Sequence, residues 1–174
     1  MNKAPRIIFT DIDGVWTDGG MYYDNLGNEL KKFNTSDSAG ILYAKTLNIP
    51  VVIITGEQTE IVRRRAEKLH VDYLYDGVKN KLGVATQVCN ELNVDLGECA
   101  YIGDDLNDIP LLRSVGFSAC PRSASLFVQK VVHYVTSLKG GEGAFREFVE
   151  YILAAHNVLD DTVAEVIKKH EKPS

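Results

Sequence analysis

Four short apolar runs, each ending in polar residues and followed by a segment of helical period, constrain this chain most. They are residues 6–11, Val51-Val52-Ile53-Ile54, Tyr73-Leu74-Tyr75 and Ala100-Tyr101-Ile102. Near-continuous apolar strands are the kind buried on both faces of a parallel sheet, and parallel neighbours need a crossover, usually a helix, between them. A helix over 58–69 would turn Ile61, Val62, Ala66 and Leu69 inward and Arg63, Arg64 and Lys68 outward; another covers 80–92. Earlier in the chain, Ile41, Leu42, Ala44 and Leu47 keep helical spacing, with Ser36 or Asp37 as the cap and Asn48 and Pro50 as the stop. A short helix at 109–114, a strand at Gly116-Phe117-Ser118-Ala119, a weaker edge at Tyr134-Val135 and helices at 144–155 and 160–170 complete the pattern. The expected fold is α/β: a Rossmann-like parallel sheet with helices on both faces. One interruption stands out. Met21-Tyr22-Tyr23 and Glu29-Leu30-Lys31-Lys32-Phe33 flank the turn-rich Asp24 to Asn28, so residues 19–33 read as a small β-hairpin insertion. The whole of 1–174 reads as one domain, with 157–174 as a C-terminal helix and tail.

In such a sheet, ligands bind beyond the carboxyl ends of the strands. Here those ends carry Asp11 and Asp13, Thr55-Gly56, the loop from Asp76 to Lys81, and Gly103-Asp104-Asp105. Asp11 and Asp13 are two apart, so at a strand end both reach one pocket as the chain turns at Gly14. Carboxylates that close repel unless a cation or a proton lies between them. Mg2+, which binds one or two carboxylates together with waters and substrate phosphate, suits the pair. Thr55-Gly56 offers a hydroxyl and an open backbone N–H to a phosphate oxygen, and Lys81 or Lys79 a cation. The net charge of −5 argues against a nucleic-acid surface and for a small ligand. Cys89, Cys99 and Cys120 are odd in number and lack metal or redox spacing, as buried thiols of a cytoplasmic protein would. The first residues show no apolar leader and no run is long enough for a bilayer, so no membrane association is expected.

Asp11-Ile12-Asp13-Gly14-Val15-Trp16-Thr17-Asp18 resembles the first motif of the haloacid dehalogenase-like phosphatases, and Thr55, Gly77-x-x-x-Lys81 and Gly103-Asp104-Asp105-Leu106-Asn107-Asp108 resemble the other three in family order. The resemblance, which runs from Ile7 to about Ile152, implies that Asp11 is the nucleophile and Asp13 the acid and base. It further implies phosphate binding by Thr55, Gly56 and Lys81, and Mg2+ held by Asp11, Asp104 and the backbone carbonyl of Asp13. Asp105 and Asp108 would order waters and Lys81 behind the metal. No stretch is long enough for a cap domain.

This capless layout, with Phe33-x-x-x-Asp37-x-x-Gly40-Ile41 and Gly140-Gly141-x-Gly143-Ala144-x-Arg146-Glu147, is similar to the sugar-acid phosphate phosphatases. That family acts on 3-deoxy-octulosonate 8-phosphate or on nonulosonate 9-phosphates. Its members are typically homotetramers in which a neighbouring subunit completes each site, here through a hairpin bearing Tyr22, Tyr23 and Leu26. Glu57 stands where the octulosonate enzymes carry arginine, and it resembles the sialic-acid branch. The expected substrate is therefore 2-keto-3-deoxynononate (KDN) 9-phosphate, with Glu57 accepting from sugar hydroxyls and Lys68 pairing with it or taking the carboxylate. Octulosonate 8-phosphate and N-acetylneuraminate 9-phosphate are the alternatives, and a catalytically silent assembly domain is the non-enzymatic one. A phospho-acceptor switch domain is disfavoured because its acidic pair precedes the acceptor strand.

Overall fold

The computed structural model describes residues 4–171; the reading of Met1 to Lys3 and the end of the 157–174 segment lie outside the described residues. Six strands form one parallel sheet in the order β5-β4-β1-β6-β7-β8. They are β1 (Ile7–Thr10), β4 (Val51–Ile54), β5 (Tyr73–Tyr75), β6 (Cys99–Ile102), β7 (Phe117–Cys120) and β8 (Tyr134–Val135). β1, β4 and β6 are buried at every position, which is why their sequences are apolar without alternation. From β1 the chain winds outward through β4 and β5, then crosses back to β6 on the other flank. The junction of β1 and β6 is thus the switch point, outside which a crevice opens.

The helices are α1 (Asp37–Thr46), α2 (Glu60–Lys68), α3 (Lys81–Leu92), α4 (Ile109–Leu112), α5 (Leu126–Gln129), α6 (Ala144–Ala155) and α7 (Leu159–His170). Two cores sandwich the sheet. Ile8, Val51 and Ile53 face Ile41, Phe145, Phe148 and Val62 of α1, α6 and α2. On the other side, Ile7, Phe9, Val52 and Ile54 meet Val88, Leu111 and Val128 of α3, α4 and α5. Adjacent residues of each strand thus serve opposite layers. Helices on both faces match the fold expected from sequence.

Several local expectations change. Tyr43 faces the core and Leu42 is 40% exposed, because α1 packs chiefly on α6 and turns its Ile41–Ala44 side there. Neither Ser36 nor Asp37 caps α1 through its side chain. Asp37 is instead fully buried and accepts from the Arg146 N–H at 3.1 Å, tying the start of α1 to the start of α6. The four-residue α5 has no counterpart in the sequence reading. The hairpin forms, but its strands β2 (Tyr22–Tyr23) and β3 (Glu29–Leu30) are two residues each. A bridge between Thr17 and Phe33 closes its base. All three cysteines are buried and free.

Burial raises the Asp37 carboxyl from 3.8 to about 6, against the opposing pull of the Arg146 and Phe145 amides and Arg65. A raised folded pKa means the native state holds this proton more tightly than the unfolded chain, so its stabilising contribution is lost as pH climbs through about 6. Relative to Asp37→Asn, the wild type should lose thermal stability between pH 3.8 and about 6. Parallel melting curves across that window would refute the assignment.

Candidate active site

Register brings the acids together. Thr10 pairs with Ile102, and the Asp11 N–H donates to the Ile102 carbonyl at 3.0 Å, so Asp11 and Gly103-Asp104 leave the sheet side by side. Between them lies Gly14, at φ +82°; a Cβ there would stand 2.0 Å from Asp104 Oδ2. Glycine is required both by the left-handed turn and by the approach of Asp104. The turn is further held by Trp16, whose Nε1–H donates to Thr10 Oγ1 at 2.9 Å and whose ring packs on Phe145. Thr17 Oγ1 accepts from the Gly14 and Gly19 amides and reaches Asp13 Oδ1 at 3.3 Å. From below, Gly140 presses so closely on this loop that a Cβ would meet the Gly14 carbonyl oxygen at 1.9 Å. The Gly141 N–H donates to the Val15 carbonyl at 3.1 Å. The glycine-rich turn that enters α6 thus packs against the loop carrying Asp13 and Gly14.

A hollow of about 280 Å³ opens above these residues, lined by Asp11, Asp13, Gly14, Thr55, Gly56, Glu57, Lys81, Asp104, Asp105 and Asn107 among others. A larger one of about 520 Å³, at the opposite ends of the strands, is lined mainly by side chains such as Ile7, Leu47, Ile49 and Leu92. Convergent polar chemistry, not size, distinguishes the smaller hollow.

Lys81 begins α3, where side chains lean back toward the helix N-terminus, and the Asn80 side chain caps the helix by accepting from Gly83 N at 3.0 Å. Its ammonium lies buried 3.0 Å from Asp11 Oδ1 and donates to Asp108 Oδ1 at 2.6 Å. Asp108 also accepts from the Tyr101 hydroxyl at 2.5 Å and from the Asp104 and Asp105 amides at 2.9 and 3.0 Å. It is therefore saturated, a strut for Lys81 and for the Asp104 loop. Asp105 is exposed and joins Asp108 in a reciprocal cap of the turn Leu106–Asp108.

Among the described residues, three buried oxygens at the hollow have no hydrogen-bond partner: Asp11 Oδ1, Asp104 Oδ1 and Thr55 Oγ1. The 3.0 Å approach of Lys81 to Asp11 is a charge contact without hydrogen-bond alignment. Asp11, Asp104 and Asp108 each offer an oxygen within 4.8 Å of the others. Burial pushes the Asp104 carboxyl up to about 8, helped by repulsion from Asp11, Asp108 and Asp105. Asp11 rises to about 7, again chiefly through burial and only partly offset by Lys81. Crowded, desolvated acids with unpartnered oxygens are what a divalent cation would relieve, and the all-oxygen donor set suits a hard one such as Mg2+.

Glu57 lines the hollow, but its salt-bridge partner is not Lys68. Lys68 is exposed on the last turn of α2, about 12 Å of helix from the loop that carries Glu57. The cation beside Glu57 is Lys31, from the hairpin, at 2.7 Å, and it also bonds Asp13. Sequence reasoning missed Lys31. The one available signal was strand alternation, which puts Lys31 on the face of Glu29 and Phe33 and Lys32 on the opposite one. Asp18, the last acid of the first motif, is outside the hollow's lining; it accepts from the Gly20 amide and the Tyr22 hydroxyl at the hairpin base.

Residues 29–116 match the model of the haloacid dehalogenase-like hydrolases. The chain is 39% identical over 169 residues to the 3-deoxy-D-manno-octulosonate 8-phosphate phosphatase of Salmonella typhi, covering 96% of this chain and 90% of the relative. The crystal structure of the Yersinia pestis enzyme of that name superposes with a TM-score of 0.86 at 40% identity, over 90% of this chain and 84% of that one. The Moraxella catarrhalis enzyme, solved with magnesium, phosphate and KDO, superposes with a TM-score of 0.90 at 35% identity, over 94% of each chain. The chain belongs to the haloacid dehalogenase-like hydrolases, within their capless branch typified by these enzymes.

Proposed function

We propose that this chain is a Mg2+-dependent phosphatase that hydrolyses a sugar-acid phosphate monoester through an aspartyl phosphate on Asp11. The observation that carries the reading is the convergence of Asp11 Oδ1, Asp104 Oδ1 and Thr55 Oγ1, three buried oxygens without a hydrogen bond among the described residues, beside buried Lys81, which makes a charge contact with the first of them. Asp11 attacks phosphorus, and Asp13 gives its proton to the departing sugar oxygen. Asp13 then takes a proton from the attacking water, releasing phosphate and restoring Asp11. Thr55, the Gly56 amide and Lys81 hold the phosphoryl oxygens while charge redistributes among them. Bound Mg2+, held by Asp11, Asp104 and the Asp13 carbonyl, supplies the positive charge that lets carboxylates and phosphate share the hollow.

Among sugar acids, octulosonate 8-phosphate has the stronger support, because relatives across nearly the whole chain bear that name. KDN 9-phosphate is supported by Glu57, which lines the hollow. Its charge is offset by Lys31, so its repulsion of a substrate carboxylate is weaker than the sequence alone suggests. Lys68 is exposed and outside the hollow, so the geometry does not support a role for it in binding the sugar. Met21, Tyr22, Tyr23, Leu26 and Leu30 on the hairpin are all at least 40% exposed, which supports a homotetramer that covers them. Among the described residues no helix is long and apolar enough to cross a membrane.

Phosphate release should depend on Mg2+ and vanish with chelator, and should be fastest on one of three purified substrates: octulosonate 8-phosphate, KDN 9-phosphate or N-acetylneuraminate 9-phosphate. Full activity after exhaustive chelation overturns the metal assignment. Equal, feeble rates on all three overturn the sugar-acid reading.

A further inference from the structure

Lys31 has no solvent-exposed side-chain area, although it directly follows the two-residue strand β3 of a largely exposed hairpin. Its ammonium donates to both oxygens of Asp13, at 2.8 and 2.7 Å, and to Glu57 Oε2 at 2.7 Å. Burial would lower the Lys31 pKa, but the bonds to Asp13 and Glu57 outweigh it and hold the group charged. Asp13 and Glu57 face the hollow, whereas Lys31 is not among its lining residues. It stands behind them and acts through them.

We propose that Lys31 is a positioning residue for the second half of the reaction, holding Asp13 as an oriented carboxylate ready to take a proton from water. The inference rests on the assignment of Asp13 as acid and base. Two bonds from one ammonium, one to each oxygen, fix the plane of the Asp13 carboxyl group. Thr17 adds only a 3.3 Å contact to Asp13 Oδ1, so Lys31 provides most of the orientation. In the step concerned, the water oxygen bonds to phosphorus as the bond to Asp11 breaks, its electron pair returning to the Asp11 carboxylate. The water proton moves to Asp13 and is the one later given to the next departing sugar oxygen. While Asp13 carries that proton, Glu57 remains as the second anchor of Lys31, which gives Glu57 a role besides contact with the sugar. Glu29 Oε1 lies 3.9 Å from the same ammonium, so without Lys31 three carboxylates, Asp13, Glu57 and Glu29, face the vacated position and turn apart. The hairpin base is fixed independently, by the Thr17–Phe33 bridge and by Arg65 stacked 5.7 Å from the centre of the Phe33 ring.

The test uses the full-length protein with Mg2+ and p-nitrophenyl phosphate, whose leaving group needs little help from an acid. General base catalysis is worth about 10²–10⁴-fold. Lys31→Met should therefore lower kcat by about 30-fold or more while leaving kcat/KM, set by the first half-reaction, within about threefold. Rapid quench should show more phosphoenzyme at steady state than in the wild type. Glu57→Gln should shift kcat the same way by a smaller factor, and Lys31→Arg should restore part of it. Parallel falls in kcat and kcat/KM with no gain in phosphoenzyme would show a merely structural lysine and overturn the proposal. Asp13→Asn separates the two assignments. If it too leaves kcat intact, the acid–base role of Asp13 fails; if it collapses kcat while Lys31→Met does not, only the role of Lys31 fails.

Discussion

Asp11→Asn is expected to abolish phosphate release with no loss of thermal stability. The amide keeps the shape of the carboxyl but cannot attack phosphorus or supply a full charge to Mg2+. Removing one member of a catalytic unit typically takes away nearly all the acceleration the unit provides, so turnover should fall by at least about 10⁴-fold. Stability should be unaffected or slightly higher in the absence of metal. Burial raises the Asp11 pKa and repulsion from Asp108 adds to it, so the folded protein disfavours this charge despite Lys81. Residual turnover of more than a few per cent would contradict the nucleophile assignment; a large drop in melting temperature would contradict the electrostatic account.

Lys81→Met should do the reverse to stability while also destroying activity. The ammonium is 1% exposed and lies between Asp11 and Asp108, whose side chains are 7% and 0% exposed. Taking one partner from a buried ion pair leaves uncompensated charge and costs about 3–5 kcal/mol. Asp108 keeps its bonds from Tyr101 and the two amides, so the loss falls mainly on Asp11. Losing a cation aimed at the transferring phosphoryl group should cost about 10²–10³ in kcat/KM. The two effects should separate with metal: Mg2+ should recover part of the stability by neutralising the acids but little of the activity. A Lys81→Met protein as stable as the wild type without metal would show that the acids are better solvated than their burial indicates.

Much of this site could be read in the sequence because the fold puts its chemistry at strand ends. An apolar run that stops at Asp11, Thr55 or Asp104 announces a residue at the carboxyl edge of a parallel sheet, and those edges converge whatever the intervening helices. Lys79 and Lys81 could not be told apart from the residues alone; the motif Gly77-x-x-x-Lys81 selects Lys81, and its place in the first turn of α3 points it back to the same edge. What failed to show was set by contacts remote in the chain. Asp37 looks like a helix cap but is buried because α6 docks on it, its bonded partner Arg146 lying 109 positions further along the chain. Leu42 and Tyr43 both suit an apolar face of α1, and the packing of α6 decides between them. Lys31 and Lys32 are adjacent lysines; alternation puts them on opposite faces, but only the folded chain shows that the Lys31 face meets Asp13 while Lys32 lies near Asp18. Lys68 was misplaced by the reverse error, since closeness to Glu57 in sequence does not carry around a helix of nine residues.

As the nucleophile, Asp11 carries the phosphoryl group part-way through each turnover. Rapid acid quench of the Mg2+-loaded protein reacting with its best sugar-acid phosphate, followed by peptide mass spectrometry, tests it directly. The expected result is a phosphoryl adduct on Asp11 that forms and decays at rates compatible with turnover and is missing from Asp11→Asn. Turnover with no adduct on Asp11, or with an adduct on another residue, would rule Asp11 out as the nucleophile.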